Sequence, residues 1–366
     1  MIGFPGLGAP IRRYAPSLVG RLFRRTMHSR LISTAAFLTV LGSAVLVLAQ
    51  PPLAQTEIRK HHNPVIDLLE QKKPVFGLYA PSNRRFTPQG APTPSPVPPK
   101  SPLELARDAV AYKSTDYIFD GSMEGDYEKA FPVFAEFAKA MGEAGIVAKT
   151  PVLRLTHPLV VKMNEIAPDP AKAIDRISRQ LDLGVSGVMF VGVESADEVK
   201  TGLAAMRYKS KGGTRADSAG GAPALWGMSE KEYRDRADLW PLNPKGELMN
   251  WTIVESKAGL AHVREIAAVK GISVLFPGAG TLRGVFTSTN DKGEKVVDAV
   301  AWEAAIQQVL AACKEFNVAC GYPARAEDIE MRMKQGFSVF VINWGEPGFK
   351  TIDIGRKLAG RPATNP

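Results

Sequence analysis

The chain has 366 residues, 45% hydrophobic and 23% charged, which suits one large α/β domain or two small ones and excludes disorder as its general state. Its net charge of +9 invites a nucleic-acid reading, but six of the 46 basic residues, Arg12, Arg13, Arg21, Arg24, Arg25 and Arg30, lie in the first 55 residues, where there is no Asp or Glu. The rest is 40 basic against 37 acidic residues, so no nucleic-acid partner is expected.

Residues 1–55 read as a leader and signal peptide. A basic stretch containing RRTMHSR precedes an apolar run at residues 31–49, LISTAAFLTVLGSAVLVLA, and small residues follow, with cleavage expected after Ala49 or Ala54. Export to a periplasm or the medium is therefore predicted. The alternative is a membrane anchor formed by residues 31–49, because the run approaches the roughly 20 residues that cross a bilayer. Membrane contact is expected only through that segment left uncleaved. Met27, just before the run, offers a second start.

Residues 56–366 read as one domain in which strand-like and helix-like runs alternate. PVFGLYA (74–80) and DYIFD (116–120) are the first two strands, with the amphipathic LELARDAVAYK between them. The helix AFPVFAEFAKAMGEAG leads to TPVLRL (150–155) as strand three, and AKAIDRISRQLDLG leads to SGVMFVGV (186–193) as strand four. NWTIVES, ISVLFPG, VACGYPA and FSVFVINW complete a set of eight, separated by helical runs. Near-continuous apolar strands alternating with amphipathic helices require a parallel sheet covered on both faces. Eight such units predict a (β/α)8 barrel; a doubly wound open sheet is the alternative, but no G-x-G-x-x-G follows the first strand.

Two insertions interrupt the rhythm, at residues 81–102, rich in proline, and at residues 209–247, which mix glycine turns with aromatic residues. Loops that follow barrel strands gather on the catalytic face, so either is a candidate lid. Cys313 falls in a helix and Cys320 in a strand, where free cysteines commonly pack; in an oxidising compartment they could pair.

In a barrel the chemistry lies at the C-terminal strand ends. Those positions hold Asp120 and Glu124 after strand two, Arg154 in strand three, Glu194 after strand four, Glu255 after strand five, and Gly278, Ala279, Gly280 and Thr281 after strand six. Glu255 suits a hard cation, Mg2+ or Mn2+, Arg154 a substrate carboxylate or developing oxyanion, and the backbone amides of PGAGTL an anion. The structural alternatives are an ion pair for Arg154 and a helix cap for Glu255. No H-E-x-x-H or paired Cys/His spacing points to zinc.

The order of PVFGLYA, DYIFDG, PVLRL, LDLGVSGVMFVGVESADEV, TIVESKAGLAHVREIAAVKGISVLFPGAGTL, VACGYPA and FSVFVINW resembles the HpcH/HpaI aldolase and citrate-lyase-like family. These are metal-dependent (β/α)8 barrels of the phosphoenolpyruvate/pyruvate-binding type that cleave 4-hydroxy-2-oxo acids to pyruvate and an aldehyde. The resemblance implies that Arg154 polarises the 2-oxo oxygen, Glu255 binds the divalent metal, Asp120 pairs with the catalytic base, and Gly278, Ala279, Gly280 and Thr281 face the pyruvate carboxylate. It also implies a homo-oligomer, since related enzymes complete their sites across subunits. Two departures stand out. The family follows its strand-two Asp with Glu-His, where this chain reads DGSMEG, and it places a second metal-binding Asp after strand six, where this chain reads GAGT. Glu124 or Asp126 is the candidate replacement. The expected function is metal-assisted lysis of a 4-hydroxy-2-oxo acid; the alternative is a catalytically altered barrel that binds a small organic acid.

Overall fold

The computed structural model describes residues 60–83 and 98–362. The leader, the possible anchor at residues 31–49 and most of the 81–102 insertion lie outside the described residues. Among the described residues no helix is long and apolar enough to cross a membrane.

Eight strands form the barrel: β1 (Val75–Tyr79), β2 (Tyr117–Asp120), β3 (Leu159–Lys162), β4 (Gly187–Phe190), β5 (Leu248–Val254), β6 (Ile272–Pro277), β7 (Ala319–Pro323) and β8 (Val339–Ile342). Each pairs in parallel with the next, and β8 pairs with β1, so the sheet closes on itself. Closure leaves no ladder edge open and needs apolar side chains on both faces of every strand. The two-residue period sorts those side chains. Tyr117 and Phe119 of β2, Val160 of β3, Met249, Trp251 and Ile253 of β5, and Val339 and Val341 of β8 fill the barrel interior. Ile118, Val161, Leu248, Val254, Phe340 and Ile342 pack outward under the helices.

A short helix, Pro64–Glu70, covers the N-terminal end of the barrel. Asn63 caps it by accepting from the Val65 N–H, Pro64 supplies a first-turn φ, and Val65, Ile66, Leu68 and Leu69 join the interior core. The buried Glu247, at the foot of β5, accepts from the His62 and Asn63 backbone N–H groups at 3.0 and 2.9 Å and ties the helix down.

Seven of the eight strands fall where the sequence pattern puts them; the third does not. Arg154–Leu155 is a two-residue ribbon antiparallel to Val147–Ala148, outside the barrel, and residues 150–153 are exposed. The barrel uses Leu159–Lys162, whose register with β2 sets Phe119 beside Val160 and Asp120 beside Val161. The apolar content of TPVLRL suggests a strand, but only Leu155 of that run is buried.

The expectation that residues 209–247 lie at the catalytic rim is also overturned. They follow the helix Ala196–Met206 and precede β5, so they form a helix-to-strand connection, which belongs to the opposite end of the barrel. Trp226 donates from its indole N–H to the Gly184 carbonyl, just ahead of β4, and stacks on His62 at 5.2 Å. Trp226 and Tyr233 are fully buried there. Cys313, near the end of helix Ala299–Phe316, and Cys320 of β7 are joined in a disulfide with Cα atoms 5.6 Å apart, rather than packing as separate thiols.

Candidate active site

Parity along the strands decides which strand-end side chains reach the barrel axis. Tyr79 follows Val75 in β1, Lys162 follows Val160 in β3, and Glu255 follows Ile253 after β5, each an even step from an interior residue. These three side chains line a cavity of about 200 Å3 at the C-terminal end of the strands. Phe119, Met189, Ile253, Phe276 and Val341 form its apolar walls, and Gly278, Ala279, Gly280 and Thr281 one side of its mouth.

Lys162 is the cation of this cavity. Its Nζ lies 2.8 Å from the Glu124 carboxylate, with side-chain exposures of 15% for Lys162 and 41% for Glu124. Glu124 ends the short helical turn Ser122–Glu124, whose backbone accepts from the Asn164 amide at Glu124 and Gly125. The pair is therefore held from both the β2 and the β3 loops. Tyr79 packs edge-on against Phe119 at 5.0 Å. Burial first, then the charges of Glu124 and Asp120, push its phenol up to about 12, so it stays protonated through neutral pH.

Glu255 is buried, and its Oε1 accepts from the Gly192 backbone N–H at 3.0 Å. Gly278 makes room around it. A Cβ at Gly278 would stand 2.3 Å from the Glu255 Cβ and 2.7 Å from its Oε2. Gly192 has φ +59°, and a Cβ there would meet the Glu165 carboxylate at 2.8 Å. By contrast, a Cβ at Gly280 would meet nothing within 4 Å.

The remaining expected residues are placed differently. Asp120 is one step out of phase with Phe119, so it leaves the barrel axis and lines a neighbouring cavity of about 700 Å3 beside the helix Tyr127–Ala144. Its Oδ1 accepts from the Ser122 N–H and hydroxyl. Arg154 does not line the axial cavity, because its segment is not a barrel strand; the strand-three cation is Lys162. Asp126 caps the helix Tyr127–Ala144 and pairs with Lys129. Glu194 accepts from the Ser256 hydroxyl. Sequence reasoning missed Lys162 and Tyr79. The signal for Lys162 was the run LVVK, too short beside TPVLRL to be chosen on hydrophobicity alone.

The donor set at this end does not suit a resident dication. Glu255 has one oxygen committed to a backbone N–H, Glu124 is held by Lys162, and the turn after β6 brings the Thr281 hydroxyl where the resemblance implies a carboxylate. The one compact group of potential ligands among the described residues is His61, Asp67 and Glu70, at the opposite end of the barrel. There Asp67 accepts from the Lys60 and His61 N–H groups, and His61 lies between Glu70 and Glu247, so the group fastens the closing helix.

A closed parallel barrel with a cation, carboxylates and a phenol at its C-terminal mouth is the architecture of the (β/α)8 enzymes. The profile of the HpcH/HpaI aldolase/citrate lyase family matches residues 138–349, and the chain belongs to that family, whose members are generally dependent on a divalent metal. It is 28% identical over 148 residues to the hydroxypyruvate/pyruvate aldolase of Paraburkholderia phytofirmans, covering 40% of this chain and 52% of that one. To the enzyme of the same name from Delftia acidovorans it is 30% identical over 152 residues, covering 42% and 52%. The match thus spans about half the length of these relatives. The crystal structure of an HpcH/HpaI aldolase/citrate lyase family protein from Burkholderia cenocepacia superposes with a TM-score of 0.54 at 21% identity, over 81% of this chain and 96% of that one, which supports the shared fold.

Proposed function

We propose that the protein is an exported carbon–carbon lyase that cleaves a 4-hydroxy-2-oxo acid to pyruvate and an aldehyde. The observation that carries this reading is Lys162, which lines the small axial cavity beside Tyr79 and Glu255 and pairs with Glu124 at 2.8 Å. The Lys162 ammonium takes the 2-oxo oxygen, and the substrate carboxylate turns toward the backbone of Gly278, Ala279, Gly280 and Thr281. The Glu124 carboxylate accepts the C4 hydroxyl proton as the C3–C4 bond breaks. The aldehyde carbonyl forms, the electron pair passes to the C3=C2–O enolate beside Lys162, and a proton returned to C3 gives pyruvate. Low polarity in the walls strengthens the Lys162–enolate attraction.

Purified full-length protein incubated with a panel of 4-hydroxy-2-oxo acids should release pyruvate, measured with lactate dehydrogenase, and Lys162→Met should reduce release by roughly a hundredfold. Absence of pyruvate from every member of the panel sinks the reading. One observation favours the alternative of an organic-acid-binding barrel without turnover: the stretch DGSMEG after β2 holds no histidine where the resemblance implies a histidine base, and its Met123 is buried. Binding of pyruvate by calorimetry without release from any substrate would select that alternative. Export rests on the composition of residues 1–55, and recovery of a chain beginning at Gln50 or Gln55 outside the cytoplasm is its test.

A further inference from the structure

We infer that the enolate in this barrel is stabilised by the Lys162 ammonium and that the chain holds no divalent cation for the purpose; this rests on the lyase reading above. Three observations carry it. First, Lys162 is in phase with Val160, so its stem enters the cavity from the strand itself, and the Glu124 contact at 2.8 Å fixes where its ammonium sits. It is a charge placed by two elements. Second, the carboxylates that the sequence offered to the site already carry other contacts. Glu255 Oε1 accepts from Gly192, Asp120 lies out of phase and binds Ser122, and Asp126 caps a helix. Third, the turn after β6 reads GAGT, so where the resemblance implies a second carboxylate the chain offers the Thr281 hydroxyl. A dication beside Glu255 would also share a cavity of about 200 Å3 with Lys162 and be repelled by it. One preorganised ammonium at the 2-oxo oxygen supplies the positive charge that a metal supplies elsewhere, with no metal-bound species in the path.

The test separates this inference from the lyase reading. Enolisation of pyruvate exchanges its methyl protons with D2O, and proton NMR follows the loss of the methyl signal. With full-length protein the exchange is expected to persist unchanged in EDTA, and to fall roughly a hundredfold in Lys162→Met, with part of the rate restored in Lys162→Arg. Equilibrium dialysis against Mn2+ should leave less than stoichiometric metal on the wild-type protein, a readout independent of activity and of whether a variant folds. Exchange that stops in EDTA and returns with Mg2+ or Mn2+, or stoichiometric Mn2+ lost in Glu255→Gln, overturns the inference and leaves the lyase reading standing. No exchange by the wild-type protein with or without metal overturns both.

Discussion

Glu255 and its two glycine neighbours give the sharpest single-residue expectation. Gly278→Ala would set a methyl group 2.3 Å from the Glu255 Cβ, so either the end of β6 or the carboxylate must shift. The expected cost is about 1–3 kcal/mol of stability, with loss of pyruvate exchange. Gly280→Ala, two residues on, meets open space within a short helix and should be neutral or stabilising by up to about 1 kcal/mol. Thermal melts of the two variants side by side check this; equal shifts would contradict the close packing at Gly278. The same scale shows what a sequence can and cannot reveal. Glu255 follows a long apolar strand, so its position at a strand end is legible. Lys162 ends a four-residue strand flanked by Pro158 and Met163, and nothing in its own neighbourhood distinguishes it from a surface lysine.

At the scale of elements, the closing helix Pro64–Glu70 is too short to stand alone and depends on tertiary contacts. Glu247 provides several of them, accepting from the His62 and Asn63 N–H groups and approaching the His61 ring at 3.3 Å. Glu247→Ala leaves two buried donors without their acceptor and should cost roughly 3–5 kcal/mol in urea unfolding; Glu247→Gln keeps an acceptor oxygen and should cost less. A loss below about 1 kcal/mol in the alanine variant would show that the helix is held by its apolar face alone. Long, strongly patterned elements were legible: seven strands and most helices follow from apolar spacing. The closing helix and the placement of residues 209–247 were not. Seven residues carry too little periodicity, and whether an insertion lies at the mouth or the foot depends on whether it follows a strand or a helix, which the aromatic content of the segment does not reveal.

Across the whole molecule, stability should fall on mild acidification through a buried histidine. His157 is enclosed beside Thr156 and the Tyr112 carbonyl, and burial lowers its ring from 6.5 to about 4, with Tyr112 opposing. As pH falls from 6.5, the unfolded ring takes up a proton and the folded ring does not, so stability declines until the folded pKa is passed. Between pH 6.5 and 5 this amounts to about 2 kcal/mol. His61 acts with the opposite sign: burial lowers it, but Glu247 and Glu70 outweigh that and raise it, so its contribution is present below its ordinary value and lost as pH rises through the raised one. The difference in melting temperature between wild type and His157→Gln, followed from pH 7 to 5, removes the His61 contribution; a constant difference would exclude the buried-ring account.

The alternation of apolar strands with amphipathic helices, written into local sequence, determined the class of fold, seven of the eight strands and the position of Glu255 and the glycine turn at strand ends, because burial on both faces imposes composition residue by residue. Barrel closure alone decided that β3 is Leu159–Lys162, that Lys162 points inward while Asp120 points away, and that the His61–Asp67–Glu70 group lies at the foot. A shift of one residue in a strand reverses the face of every side chain, and that phase is set by pairing with neighbours distant in the chain.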